Sequence, residues 1–285
     1  MVVRSDWTLR ALLTHLFLRA RRVARTRLEK LRLSLVYGGN KYQCSVCGSS
    51  ARGFVSLRRI ARGTLVRPVV VLGETIGPEN YEFLNIENFA CPTCGAPDKA
   101  RLMAEFMQAE GLGRLQESGL PLLHFDPEQG MADYLADSPG MYLPTSWPEQ
   151  RFENSFDITD LSALEEKIGG FICSHILEHV EEDSAAVAQL YKALVPGGFG
   201  IVLVPIIRSL QRNWEVEGQL SEGDRWRFFG QGDHVRIYSR TGLRNLLLSA
   251  GFTVRELGLE HFGREIFDRL ALTDTSTLYV VEKPE

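Results

Sequence analysis

Four of the five cysteines form two Cys-x-x-Cys-Gly knuckles, Cys44 to Gly48 and Cys91 to Gly95, with 43 residues between Cys47 and Cys91. Two residues between thiolates let both reach one ion, and the glycine permits the tight turn in which backbone amides point at the sulfurs. Four thiolates suit a closed tetrahedral zinc site of structural type and leave no open coordination position for catalysis. Two disulfides, or four unrelated thiols, are the alternatives. Cys173, the fifth, falls in an apolar run and reads as a small core residue. A second set of reactive types is Ser174-His175-Ile-Leu-Glu178-His179 together with Gly232-Asp-His234-Val-Arg236. His234 is the best general-base candidate, because an ordinary imidazole titrates near neutrality. His175 is the second candidate for chemistry, whereas His179 reads as a support for its turn. Arg236 could clamp an anionic ligand or pair with Asp233. The alternative for each histidine is a purely structural role.

These residues need elements to hold them. The apolar run from Phe171, after Gly169-Gly170, predicts a buried strand that breaks into a polar turn. A helix capped by Asp183 or Ser184 follows, with Val187, Leu190, Tyr191 and Leu194 at helical spacing. Pro196-Gly197-Gly198 stops it, and Gly200 to Pro205 reads as the next buried strand. This is one βαβ unit of an open α/β sheet, in which ligands bind at the carboxyl ends of strands. Ser174 and His175 stand at such an end. Upstream, Pro97 and Asp98 open a helix with Leu102, Met103, Phe106 and Met107 inside, ended by Gly111 and Gly113. Leu120 to Pro127 and Met141 to Thr145 are the first two strands expected. Downstream, Ser239 caps a helix that runs to Gly251, and Phe252 to Leu257 and Leu278 to Glu282 are the last two. Residues 206–232 form a long connection of aromatics and charges, read as a lid or as a packing arm for the cysteine module.

The composition is that of an ordinary globular protein of 285 residues with net charge -4, unevenly spread. Residues 4 to 32 hold nine basic side chains against two acidic ones, +7, which leaves the remainder at -11. An acidic body argues against a broad nucleic-acid surface. No apolar run is long enough to span a bilayer. Asp6 to about Val36 reads as one amphipathic helix with its arginines opposite a leucine stripe. It could lie on an anionic membrane surface, dock on a partner protein, or pack on its own chain. Arg58, Arg59, Arg62 and Arg67, between the knuckles, could contact an acidic substrate or RNA, or form a solvated face. The expected organisation is a basic helix (1–39), a zinc-ribbon module (40–100) with an inserted hairpin or small sheet to which Arg67 to Leu72 could supply a strand, and an α/β domain (101–285).

Asp157-Ile-Thr-Asp-Leu161, Phe171 to Val180 and Leu194 to Phe199 resemble, in order and spacing, the second half of a class I S-adenosylmethionine-dependent methyltransferase, over roughly residues 120 to 285. Cys91-Pro-Thr-Cys-Gly95, Leu123-His-Phe-Asp-Pro-Glu128 and Gly232-Asp-His-Val-Arg236 are similar to pieces of a bacterial group that joins a four-cysteine zinc ribbon to this fold. The resemblance implies a Rossmann-like sheet with helices on both faces, a cytoplasmic enzyme, S-adenosylmethionine and a structural zinc as cofactors, and a small-molecule or sugar acceptor. It places cofactor contacts at His124, Asp126, Glu128, Ser146, Asp157, Ile158 and Ser174. Among these, Glu128 faces the methionine moiety, Asp157 the adenine amino group and Ile158 the ring. Arg101 matches an arginine that the group carries after the second knuckle. Two departures stand out. The glycine-rich loop is replaced by His124-Phe-Asp-Pro-Glu128, and Asp126 stands where the group has a small residue, so its carboxylate would either hold the cofactor's amino group or hinder entry. Ser146 occupies the position of the usual ribose-binding acid, which predicts weak cofactor binding, a different ribose contact, or none. Three rival readings stay open: a non-catalytic scaffold, an RNA methyltransferase, and a membrane-associated enzyme.

Overall fold

The computed structural model describes residues 31–33, 35–60, 68–136, 138, 142–146 and 151–285. The expected helix from Asp6 lies outside them except for its last residues, as do Arg62, Arg67, Pro139, Met141, Pro148 and Glu149. Short strands β1 (Tyr42–Gln43) and β2 (Ser50–Ala51) flank the first knuckle, and helix α1 (Leu57–Ile60) follows. Strands β3 (Val69–Val71) and β4 (Glu74–Ile76) form the inserted hairpin, turning through Leu72 and Gly73, both at positive φ. Helix α2 (Asp98–Phe106) leads through one wide turn, Met107–Gly111, into α3 (Leu112–Ser118). The glycines expected to end the helix do not. Gly111 sits inside it because a Cβ there would meet Met107 Sδ at 2.6 Å and the Phe199 ring at 3.3 Å. The stop is Gly119, at φ 66°.

The main sheet then begins: β5 (Leu122–Phe125), α4 (Gln129–Leu135), β6 (Tyr142–Thr145), β7 (Ile168–Ser174), α5 (Asp183–Ala193) and β8 (Leu194–Leu203). The 206–232 connection contains β9 (Trp214–Glu215) and α6 (Glu222–Phe229). After it come β10 (Arg236–Ile237), α7 (Arg240–Ser249), β11 (Thr253–Leu257), α8 (Leu259–Phe262), α9 (Arg264–Arg269) and β12 (Leu278–Glu282). Six strands pair in the order β11-β12-β8-β7-β5-β6. β6, β5, β7 and β8 are mutually parallel; β12 runs antiparallel to β8 and β11 to β12. The order reverses between β5 and β7, which opens a crevice at their carboxyl ends.

Every residue of β5 and β7 is buried, as a parallel strand covered on both faces requires. β7 starts at Ile168, before the two glycines, because Gly170 must admit the Phe199 ring, whose atoms would stand 3.1 Å from any Cβ. Ser239 caps α7 as expected, its Oγ accepting from Gly242 N at 2.9 Å. Asp183 does not cap α5; its carboxylate accepts from Tyr238 Oη at 2.7 Å instead. One core holds Phe171, Ile201, Val280 and the other sheet residues together with Cys44, Phe54 and Cys91 of the knuckles. A second small core joins Val69 and Val71 of the hairpin to Ile207, Phe229 and Ile237. The 206–232 connection therefore packs on the cysteine module's insertion, and Glu82 N donates to Ile206 O at 2.9 Å across the junction.

Candidate functional site

The knuckles close as their glycines allow. Gly48 N donates to Cys44 O and Gly95 N to Cys91 O, with both glycines at positive φ. All four Sγ atoms lie within 4.8 Å of one another. Cys44 and Cys94 are 3.8 Å apart, as are Cys47 and Cys91. Tetrahedral bonds of about 2.3 Å to one zinc ion set sulfurs roughly 3.8 Å apart, so the donor set fits that cation. Hydrogen bonds from its three neighbours hold the Cys91 thiol far below the ordinary range. Cys173 is fully buried in β7. Arg101, also fully buried, bridges the module to the sheet domain. It donates to Asn88 O, Phe89 O and Ala96 O on one side and to Leu270 O at 2.8 Å on the other, and it stacks 4.0 Å over Phe54.

The crevice at the ends of β5, β6 and β7 is a cavity of about 570 Å³. Asp126, Glu128, Ser146, Asp157, Ile158, Ser174 and His175 all line it. Asp126 has φ 42°, a left-handed conformation that aspartate tolerates, and its carboxylate accepts from Arg151 Nη2 at 2.5 Å. Glu128 Oε1 is 2.9 Å from Lys99 Nζ, which also donates to Ser174 Oγ at 3.1 Å. Burial would raise the Glu128 carboxyl, but the charge and hydrogen bond of Lys99 outweigh it and hold it at about 2. Ser146 Oγ accepts from Arg151 N at 2.6 Å, and Asp157 Oδ1 accepts from Thr159 N at 2.9 Å. Phe156 and Ile158 give the same cavity an apolar flank.

His124 stands apart from these residues. It is fully buried in β5, its Nδ1 meets Tyr142 Oη at 3.0 Å, and it is not part of the cavity wall. It lies inside β5, one place before the strand ends at Phe125, and packs against Tyr142 of β6, whereas Asp126 and Glu128 follow the strand and reach the crevice. Burial pulls its imidazole down to about 4.

A second cavity, of about 300 Å³, adjoins the first. Lys99 and His175 belong to both. Its walls are mostly apolar: Leu57, Tyr81, Phe83 and Phe89 come from the cysteine module and Phe229 from α6. The expected lid and the module's insertion thus roof one space together. His234 reaches this cavity but is only 3 % exposed, and burial pulls it down to about 4, so it is a weak base in this setting. Arg236 does not face a ligand. It donates to Leu177 O, Val180 O and Glu181 O and pairs with Glu215 at 2.7 Å, which fixes the turn after β7. Asp233 approaches His179 rather than Arg236, at 3.3 Å. His175 has φ 58° and is pinned by its N–H to Leu203 O at 2.8 Å.

Two residues escaped the sequence reading. Lys99 lies in the first turn of α2, beyond the strand ends where ligand contacts are sought, and no spacing signal marks it. Glu178 is named in the sequence only as part of a polar turn, with no role, yet it is fully buried, with His175 Nδ1 at 3.1 Å and His234 Nε2 at 4.0 Å from its Oε1.

A parallel sheet closed by an antiparallel last pair, with a polar cavity across the reversal of strand order, defines a Rossmann-like methyltransferase fold. Residues 100–257 match the methyltransferase-domain family, and the chain belongs to it. Solved structures similar to it include the CurJ carbon methyltransferase (16% identity, 66% of this chain and 53% of that one, TM-score 0.42). A SAM-dependent methyltransferase from Archaeoglobus fulgidus is similar at 11% identity, over 65% of this chain and 93% of that one, TM-score 0.41. The cyclase SpnF is similar at 14% identity, over 81% and 99%, TM-score 0.44. This chain thus spans about half the length of the first of these. No curated protein matches it in sequence.

Proposed function

We propose that the protein transfers the methyl group of S-adenosylmethionine to a small-molecule acceptor with an apolar body, and that its four cysteines hold a structural zinc ion. The observation that carries this reading is the meeting of a polar and an apolar cavity at His175 and Lys99. The polar cavity has charges of both signs for a zwitterionic methionine end: Lys99 for its carboxylate, Glu128 and Asp126 for its ammonium. Ile158 and Phe156 suit the adenine ring, Asp157 its amino group, and Ser146 a ribose hydroxyl. The bound cofactor would supply a methyl group already activated as a sulfonium, so the chain's own task is alignment and exclusion of water. The aromatic walls of the second cavity favour an apolar acceptor over a sugar. His175 takes the role first given to His234. Glu178 occupies its Nδ1 side, which leaves Nε2 to receive the acceptor's proton as the new bond to carbon forms.

Calorimetric titration of the zinc-replete protein with S-adenosylmethionine and its demethylated product tests this. Micromolar binding is expected, weakened about tenfold or more by Asp157→Ala and by Lys99→Met, each of which removes a charged contact. A second reading, a non-catalytic scaffold, is favoured by the internal pairing of Asp126 with Arg151 and Glu128 with Lys99. Absence of binding to either compound by the folded protein would select it.

A further inference from the structure

The turn after β7 buries a carboxylate among three imidazoles. Glu178 is fully buried, and among the described residues neither of its oxygens meets a hydrogen-bond donor at full geometry. His234 is 3 % exposed, and among the described residues neither of its ring nitrogens has a hydrogen-bond partner. The ligand atoms of Glu178, His179 and His234 lie within 4.8 Å of one another. Burying such groups unpaired costs about 1–3 kcal/mol each, more for a charge, so their convergence needs an occupant.

We propose that Glu178, His179 and His234 form a second metal site, for a borderline first-row divalent cation such as zinc or cobalt, separate from the four cysteines. A proton does not satisfy the cluster. An imidazole carries at least one N–H, and His234 Nε2 is 4.0 Å from Glu178 Oε1, too long for a hydrogen bond. Tetrahedral bonds of roughly 2.0–2.2 Å would set these two donors about 3.4 Å apart, so a small inward shift of the side chains brings all three ligands into range. Two imidazoles and one carboxylate suit zinc, cobalt or iron and disfavour calcium and magnesium, which prefer all-oxygen sets. Outer partners are present as well. His175 Nδ1 stands 3.1 Å from Glu178 Oε1, and Asp233 Oδ2 stands 3.3 Å from His179 Nδ1, a second carboxylate that orients the ring. Three protein ligands leave coordination positions open. His179 lines the polar cavity and His234 the apolar one, so the cation would lie at their seam. Resting on the methyl-transfer reading, this makes an acceptor that presents an oxygen to the cation, such as a phenol or an enol, the fitting substrate class.

The test uses the full chain with one equivalent of zinc in its cysteine site, dialysed against a weak chelator and then titrated with cobalt. One further equivalent should bind, giving d–d absorption without the thiolate charge-transfer band that cobalt among cysteines would show. His234→Gln and His179→Gln should each weaken it at least about tenfold. If Glu178→Gln or His234→Gln fails to fold, His179→Gln, at a one-third-exposed side chain, still decides the matter. No cobalt beyond the zinc equivalent, or unchanged binding in a folded His179→Gln or His234→Gln protein, overturns the proposal in favour of a cluster that holds only protons. Calorimetry with S-adenosylmethionine reads the methyl-transfer proposal separately, so either can fail alone.

Discussion

His124 and His234 are buried so thoroughly that each titrates at about 4 rather than 6.5. Above 6.5 folded and unfolded states are both neutral there. Between 6.5 and 4 the unfolded chain takes up protons that the folded chain refuses, so stability falls as pH falls, by about 1.4 kcal/mol per pH unit for each group. Urea midpoints measured from pH 7 to pH 4.5, with only the cysteine zinc bound, should show this slope, and His124→Gln should roughly halve it. A flat profile would contradict the burial described here. The same residues mark the limit of reading sites from sequence. The line of seven positions from Asp126 to His175 was legible because strand ends converge by topology. His124 was misplaced because it lies within the strand, closed off by Tyr142 of the neighbouring strand, and that pairing is not written in the local sequence. Lys99 and Glu178 were invisible because their importance comes from long-range approach, Lys99 to Ser174 across 75 positions.

At the scale of elements, the strands of the sheet and a strand of the hairpin between the knuckles were readable from apolar runs and turn residues, whereas the pairing of the strands came only with the family resemblance. Some bounds were misread: Gly111 and Gly170, taken as breaks, both make room for Phe199, and Pro196-Gly197-Gly198, taken as a helix stop, lies within β8 after the helix has ended at Ala193. Joining of elements was readable in outline, in the packing of the 206–232 connection on the cysteine module, but the contacts that make it were not. α2 is fastened to both flanks of the second knuckle and to α9's end by one guanidinium, because Arg101 donates to carbonyls of residues 88, 89, 96 and 270. An ammonium cannot fork in this way. Arg101→Lys should therefore destabilise the protein by about 3 kcal/mol or more, the cost of leaving buried partners unmatched. Chemical denaturation would show it, and a change below about 1 kcal/mol would mean that the clamp is dispensable.

At the scale of the molecule, the cysteine module and the sheet share one core, and the module also walls the apolar cavity. Stripping the cysteine site with a strong chelator and a thiol reagent should therefore abolish the whole structure in a single cooperative transition, together with binding of S-adenosylmethionine. Two separate transitions, the sheet surviving the first, would show the module to be an appendage.

The reach of Arg101 has a consequence during synthesis. Leu270, its last acceptor, lies 169 positions further along the chain. A ribosome adding about 5–20 residues per second needs roughly ten to thirty seconds for that distance. For that interval the thiols of Cys44, Cys47, Cys91 and Cys94 have left the ribosome without the clamp that later seats them. The nascent chain is thus open to oxidation and to capture of the wrong metal for far longer than it would be if a short finger closed on itself.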